Sequence, residues 1–532
     1  MTTGTAASNL THAQSLIWAG QQLHPEAPLY NMVLAFRIAG PVDVAAFRRA
    51  FSELVTGTDA MRTVFTVADG IPERSVLDGI PSKLQVIDFS AEPDPEPAYA
   101  AWAEADAAAP FDLAESLYRS TLLKLGDEDF VWWLAQHHLI TDGWAAAIVY
   151  QRMEELYRSA AGGSTTAPDP YPSFEFYADY ERRFRSSGVF AEAQAYWEKQ
   201  ADPDRTRPVL YGATEPPGGS TRTDRITVEL GTDRGARLAR FTEASGSSLV
   251  GGVTQFTVFA AALLACLYRV SGQDRLSILA PAHNRPTPRF KATAGLMIEV
   301  LPLAVSIEPG ESFRTLLDKV ASEAQDLLVH ARPGTSNAEY SRSSPVLLNF
   351  INASFGPFND WPMRSDWVHS GHGDADHVLR LQVHDFDDGG NLRLHFDLSR
   401  GVFDLERKDA IIRHFLAMLD ALLDDPDGRI AAVDLLGPAE SAALAAFNDT
   451  DAACPYPSVL TAFADQVAGD GGAIAVSAGL RSLTYAELDA AADRLAAHLV
   501  AVVGAAPRVG LYLRRSPETL VAALAALKAN IH

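Results

Sequence analysis

The chain has 532 residues, too many for one ordinary hydrophobic core, and its length suggests three or four units of roughly 150 residues. Hydrophobic residues make up 47% and charged residues 21%, which excludes disorder, collagen and coiled coil as the main organisation. With 67 acidic residues against 44 lysines and arginines the formal charge is -23, which offers no grip on a phosphate backbone and argues against nucleic-acid binding.

Cys266 and Cys454 are too few for a disulfide framework or a thiolate metal cluster. Residues 1–9 have neither a basic start nor an apolar core, and the apolar stretch 252–270 is interrupted by Thr254, Gln255 and Arg269. No membrane contact is expected, and the chain reads as cytoplasmic.

Along the chain, strand-like and helix-like stretches alternate without a fixed repeat. Val33 to Ile38 predicts a strand, and Asp43 caps a helix whose apolar face runs Phe47, Phe51, Leu54. Phe65 to Val67 opens another extended piece. Phe130 to Ala135 (FVWWLA) is short and continuously apolar, as in a strand buried on both faces, and a helix follows over 144–157. Loops are expected at 159–172 and 201–224, the second separating two halves of similar size. The latter half has a helix at 257–268, strands at 276–280, 298–303, 346–351, 379–384 and 392–397, and a helix from about Leu405 to Leu423. After Pro438 the style changes: 447–457 reads as a linker, followed by alanine-rich helices. Thr484 and Glu487 form a capping box there, and Ser516-Pro517-Glu518 opens a further helix.

The strongest chemical signal is Gln136-His137-His138-Leu139-Ile140-Thr141-Asp142-Gly143, placed where a buried strand stops. Side chains alternate along an extended chain, so one histidine of the pair faces a given cleft. A neutral histidine can take a proton from an attacking amine or hydroxyl. Asp142 suits an orienting role and needs a cation if buried, with Arg62 and Arg285 as the two candidates. Serine and cysteine nucleophile motifs, phosphate loops and dinucleotide fingerprints are absent, so the chemistry is direct attack of one substrate on another. No metal is expected at this loop. In a second cluster, His369, His372, His377, His384 and His395, with Asp374 and Asp376 nearby, His384 and His395 fall in strand-like stretches and 371–376 reads as a loop, and the cluster is expected to be solvated and not a metal site.

Several motifs in order resemble the condensation domain of non-ribosomal peptide synthetases: Thr11 to Trp18, Tyr30-Asn31, Ala60 to Phe65, Gln136 to Trp144, Tyr177 to Tyr180, Tyr196-Trp197, Pro281 to Arg285, and Gly295 to Glu299 with Leu301-Pro302-Leu303. Leu483 to Leu488 and Leu511 to Ala529 resemble the opening motifs of an adenylation domain. The resemblance implies an α/β (α+β) fold of two chloramphenicol-acetyltransferase-like subdomains forming a V-shaped pseudo-dimer, plus a partial adenylation-domain fragment. The expected divisions are 1–175 and 185–436 for the two subdomains, 437–458 for a linker and 459–532 for the fragment. It implies amide-bond formation between a donor acyl or aminoacyl thioester and the amine of an acceptor aminoacyl thioester. An ester-forming reaction, a CoA-dependent N-acyltransferase and an inactive scaffold are the alternatives.

By the same resemblance His138 faces the reaction centre. His137, Asp142 and Gly143 belong to the catalytic set, Arg62 and Arg285 support the loop, and Trp144 and Glu299 line the tunnel or its floor. His137 is expected to act structurally, and Gly143 to give the substrate room. No cofactor is expected on the chain itself, since 4'-phosphopantetheine arrives on donor and acceptor carrier proteins, the donor in trans. The adenylation domain would be contiguous with the C-terminus in a full module, and no adenylation activity is expected here. Besides Thr58-Asp59 in place of the usual His-Glu ahead of Ala60, two departures from the family pattern stand out: Glu299 replaces the usual Asn, and 330–340 lacks the HQxxPFE pattern. The wording at 295–303 and 344–352 leans toward starter-adjacent or siderophore-type domains.

Overall fold

The computed structural model describes residues 8–79, 82–162, 171–200, 207–213, 220–245, 255–351, 353–387, 389–503 and 508–531. Parts of the loops expected at 159–172 and 201–224 lie outside these residues. Two compact units emerge, Met1–Leu435 and Leu436–His532.

Among the described residues the first unit has strands β1 (Asn31–Ala39), β2 (Thr63–Ala68), β3 (Ile71–Val76), β4 (Leu84–Asp88), β5 (Tyr118–Gly126), β6 (Asp129–His137), β7 (Thr223–Glu229), β8 (Arg275–His283), β9 (Ile298–Ser306), β10 (Val346–Ile351), β11 (Met363–Val368), β12 (Leu379–His384) and β13 (Arg393–Ser399). One sheet runs β11-β1-β6-β5-β4 and the other β7-β13-β12-β10-β8-β9, each the centre of a lobe. β2 and β3 form a separate hairpin.

β6 is buried on both faces, as its run of apolar residues requires. Trp132 packs with Phe36 and Phe47 on one side, where the helix Val44–Gly57 lays down its apolar face. Trp133 packs on the other side against Trp102 and the helix Pro95–Ala107. Both indole N–H groups find partners, Ser120 Oγ at 2.9 Å and Asp106 Oδ2 at 2.6 Å, so neither ring leaves an unpaired donor. The second lobe is built around the helix Gln255–Ser271, buried all round from Thr257 to Leu267, which is why its sequence shows no polar face.

The lobes are interlocked. β11 follows β10 of the second sheet, yet it pairs antiparallel with β1 of the first, with Val33 opposite Val368 and Ile38 opposite Met363. Alternation divides the second sheet into unlike faces. Leu379, Leu381, Val383, Leu394, Phe396 and Leu398 form the lobe's core, while Arg380, Gln382, His384, His395, Asp397 and Arg225 occupy the other face. That polar face packs on β11, where Arg225 Nη1 donates to the Trp367 carbonyl at 2.7 Å and the guanidinium lies 5.3 Å from the Trp367 ring centre.

The second unit pairs β14 (Ile474–Ala478) with β15 (Arg481–Thr484) beside the helices Val459–Asp470, Tyr485–Val503 and Pro517–Lys528. The expected capping box is present: Glu487 N–H donates to Thr484 Oγ1 at 3.2 Å and Thr484 N–H to Glu487 Oε2 at 2.9 Å. Within the stretch expected as linker, residues Pro438–Asn448 form a helix. No helix among the described residues is long and apolar enough to cross a membrane.

Candidate active site

The loop 137–143 is placed by its two ends. β6 stops at His137, paired with Asn31 of β1, and the next amide, His138 N–H, donates to the Tyr30 carbonyl at 2.9 Å. At the other end Asp142 is the N-cap of the helix Gly143–Ala160, its Oδ1 accepting from Ala145 N–H at 2.8 Å. The two histidines then diverge. His137 is buried; its Nδ1 accepts from Leu139 N–H at 3.1 Å, so its proton sits on Nε2, 3.3 Å from Gln21 Oε1. Burial, aided by the His138 charge, pushes its pKa down to about 3, so it is a neutral bracket with both nitrogens occupied.

His138 is half-buried. Its Nδ1 lies 2.7 Å from the Thr141 carbonyl, an oxygen that can only accept, so Nδ1 carries the proton and Nε2 keeps its lone pair. Burial lowers its pKa below the ordinary 6.5, opposed by the Asp142 charge and the Thr141 carbonyl. Among the described residues Nε2 has no hydrogen-bond partner, so the neutral imidazole can accept a proton there.

Asp142 is completely buried and accepts four hydrogen bonds. Besides Ala145, Arg285 donates from Nη1 to Oδ2 at 2.9 Å and from Nη2 to Oδ1 at 3.0 Å, and Met297 N–H donates to Oδ2 at 2.9 Å. Arg285 Nη2 also reaches the Gly295 carbonyl at 2.9 Å. Gly295 holds φ +143, and a Cβ there would fall 2.2 Å from Phe174 Cδ2, so no side chain fits. Since Arg285, Gly295 and Met297 belong to the second lobe, this one carboxylate ties it to the loop of the first. Arg62, the other candidate, is not at the site: its Nη1 donates to the Leu77 carbonyl at 2.7 Å.

Trp144 Nε1 donates to the Lys291 carbonyl at 2.9 Å, and its ring lies 5.2 Å from His283, a second link to the strand β8 region. Glu299, on β9, accepts Gly334 N–H at Oε1 and Ser336 N–H at Oε2, both at 2.7 Å. The two departures from the family pattern are therefore one feature: the segment lacking the usual motif is held by the carboxylate that replaces the usual amide. An asparagine or glutamine offers one acceptor oxygen, where two amides here need one each. Burial raises Glu299 to about 7, opposed by the Ser336 and Gly334 donors.

That shift fixes a sign. Between pH 4.5 and about 7 the native chain holds a proton that the unfolded chain has released. Stability is therefore full below 4.5 and falls by on the order of 3 kcal/mol as pH rises through 7. In Glu299→Gln this slope is expected to vanish while the protein is destabilised at pH 5 by about 1–3 kcal/mol, one amide having lost its acceptor. Denaturant midpoints of both proteins from pH 5 to 8 check this; parallel curves would refute it.

The histidine cluster does not behave as a solvated loop. His377, His384 and His395 are buried, His384 Nε2 lies 2.8 Å from His395 Nε2, and His395 Nδ1 lies 2.8 Å from Thr227 Oγ1. Asp397 is held bidentately by Arg225 at 2.6 and 2.9 Å. The reason is the polar face of the second sheet, which β11 covers. No group of three or more His, Cys, Asp and Glu side chains suited to a metal ion occurs among the described residues.

Gln21 is a site residue that motif reading misses. It stands seven residues after Gln14 on the helix His12–Leu23, both are buried, and both brace the loop: Gln14 Nε2 donates to the Leu139 carbonyl at 3.0 Å. Two buried glutamines at heptad spacing are the signal that could have revealed it.

Two lobes joined at a histidine loop define the class. The chain belongs to the condensation-domain family: the family model described as "Condensation domain" matches residues 6–445. The model described as "AMP-binding enzyme" matches residues 463–532, part of an adenylation domain. The chain is 29% identical, over 97% of its length, to the isonitrile lipopeptide synthase of Streptomyces coeruleorubidus, of which it covers 35%. It is 30% identical, over 98% of its length, to the phosphinothricin tripeptide synthetase PhsC of Streptomyces viridochromogenes, of which it covers 49%. The chain thus spans between about a third and a half of these relatives. Among solved structures, it resembles a variant of the starter condensation domain of rhizomide synthetase RzmA in complex with C8-CoA, with TM-score 0.71 and 25% identity over 80% of this chain and 97% of that one. The first condensation domain of the calcium-dependent antibiotic synthetase gives the same TM-score and identity over 81% and 100%. The fold is the two-lobed α/β condensation fold, followed by a partial adenylation fragment. The family's chemistry joins two thioester-bound substrates in non-ribosomal peptide synthesis.

Proposed function

We propose that this chain forms an amide bond between a donor acyl or aminoacyl thioester and the amine of an acceptor aminoacyl thioester. Each substrate rides on the 4'-phosphopantetheine arm of a carrier protein, and the setting is cytoplasmic. Condensation domains as a class act without a resident cofactor, and the arms would supply the thioester sulfur. The single observation carrying this reading is the fixed tautomer of His138, with Nδ1–H on the Thr141 carbonyl and Nε2 open.

An ammonium cannot attack, so the acceptor amine must be neutral or give up its proton as the bond forms. Nε2 takes that proton while the nitrogen adds to the thioester carbonyl. The C–N bond forms, the C–S bond breaks, and the departing thiolate regains a proton from the imidazolium. His137, Asp142 and Arg285 hold the loop, and Trp144 and Glu299 hold its surroundings. A Cβ at Gly143 would meet Ile351 Cγ2 at 3.4 Å, an ordinary contact, so packing alone does not demand glycine there. We assign that space to substrate. The divisions proposed are 1–175 and 185–436 for the lobes, with 459–532 as part of an adenylation domain.

Intact-mass spectrometry of carrier-bound products tests the reading, using a panel of acyl-loaded and aminoacyl-loaded carriers. Mass transferred to the acceptor carrier by the wild type and not by His138→Ala is the expected result. Consumption of acyl-CoA onto a free amine, with no transfer between any loaded carriers, would replace it with the N-acyltransferase reading.

A further inference from the structure

Tyr30 stands directly before β1 and touches the histidine loop twice. Its carbonyl accepts the His138 amide at 2.9 Å, and its ring meets His137 edge-on, the centres 6.0 Å apart. Its hydroxyl reaches the second lobe and donates to Asp374 Oδ2 at 3.3 Å. Two residues earlier, the Pro28 carbonyl accepts from Ser370 Oγ of the same lobe at 3.0 Å. The segment 28–30 is therefore gripped by the second lobe at two points, and it carries the backbone acceptor for His138.

Donor and acceptor of the bond between Tyr30 and Asp374 are fixed. Burial and the Asp374 charge push the Tyr30 hydroxyl well above its ordinary pKa, so it keeps its proton. Burial opposes a charge on Asp374, but His377, the Asp376 amide, Arg380 and the Tyr30 hydroxyl outweigh it and hold the carboxyl below the usual range. Asp374 Oδ1 accepts the Asp376 amide at 3.0 Å, which leaves Oδ2 for the hydroxyl. The helix His12–Leu23 makes room for this contact. Gly20 lies in its interior, where glycine is a poorer helix former than alanine. A Cβ there would fall 2.1 Å from the Tyr30 hydroxyl oxygen and 3.1 Å from Cζ, so a side chain would drive the hydroxyl off Asp374.

We infer that Tyr30 is a positioning residue for His138: bonded to Asp374 through its hydroxyl, it sets the backbone that carries the proton-accepting imidazole. Docking of the second-lobe loop 370–374 on residues 28–30 is thereby coupled to the place of His138 Nε2. This rests on the condensation reading for what His138 does, and it adds a link between the junction of the two lobes and the readiness of the proton acceptor.

Condensation between preloaded carriers is followed for wild type, Tyr30→Phe, Asp374→Ala, Asp374→Asn, Gly20→Ala and the double variant Gly20→Ala with Tyr30→Phe. Tyr30→Phe is expected to lower kcat about tenfold with KM for the carriers unchanged, as for a displaced catalytic group. Asp374→Ala should match it, and Asp374→Asn should lose less, since its amide can donate to the hydroxyl oxygen. Gly20→Ala should cost as much as Tyr30→Phe. In the double variant the two losses should not multiply, because phenylalanine offers no hydroxyl to collide with. Unchanged kcat in Tyr30→Phe, or losses that multiply in the double variant, would overturn the inference. The tautomer of His138 reads the same coupling without turnover, so this arm stands apart from the condensation reading. With nitrogen-15 histidine, and the signal assigned by its loss in His138→Ala, wild type should show Nδ1–H and a bare Nε2. Tyr30→Phe should show a mixture of tautomers as the Thr141 contact loosens. An identical His138 signal in the two proteins would overturn the inference.

Discussion

Arg285→Ala is expected to destabilise the first unit by about 3–5 kcal/mol, because it strands the Asp142 carboxylate, buried away from solvent, without its cation. Neither member of the pair is more than slightly exposed, at 0% and 1% of the side chain. The two backbone donors, Ala145 and Met297, would remain, but they are dipoles and carry no compensating charge. Arg285→Lys should recover little, since an ammonium cannot span both carboxylate oxygens and the Gly295 carbonyl as the guanidinium does. The discriminating protein is the double variant Arg285→Ala with Asp142→Asn. Its neutral amide removes the stranded charge, so it should be more stable than Arg285→Ala alone, an interaction that a double-mutant cycle reads directly. Denaturant unfolding monitored by tryptophan fluorescence checks both. A single variant within about 1 kcal/mol of wild type would mean that the pair is not the junction described.

Contiguity decided how much of this was legible in the sequence. β6 reads correctly because its signal, six apolar residues with two tryptophans, is local, and the loop after it carries histidines, aspartate and glycine within seven residues. The ion-pair partner of Asp142 is a different matter. Arg62 and Arg285 are 80 and 143 residues away, and nothing local distinguishes an arginine that reaches a buried carboxylate from one that binds a nearby carbonyl. β11 escapes for a related reason: MRSDWV has no clean period, since it is an edge strand lent by one lobe to the other's sheet. The histidine cluster misleads because composition cannot show that a polar sheet face is covered. Once β11 lies over it, residues that read as a solvated loop become a buried hydrogen-bonded network.

His138→Ala and His137→Ala are expected to fail in opposite ways, and the contrast tests the division of labour between the paired histidines. Removing His138 forfeits one hydrogen bond, to Thr141, at a half-buried position, about 0.5–1.5 kcal/mol of stability. Condensation should fall by roughly 10²–10⁴, the usual worth of a positioned proton acceptor. Removing His137 deletes a ring packed between Tyr30 and Phe111 and leaves the Leu139 amide and Gln21 Oε1 buried without partners. The expected cost there is about 2–4 kcal/mol, with activity lost in step with folding. The pH dependence separates a base from a bracket further. The reactive form of His138 is neutral, and burial keeps its pKa below 6.5. The single-turnover rate should therefore show a steeper fall below pH 6.5, on top of the limb set by the acceptor ammonium, whose free pKa is about 8. Single-turnover kinetics with preloaded carriers, read by mass from pH 5 to 8, would give that limb. A profile that follows the amine's ionisation alone, with no steeper fall below pH 6.5, would show that His138 is not a group that must lose its proton.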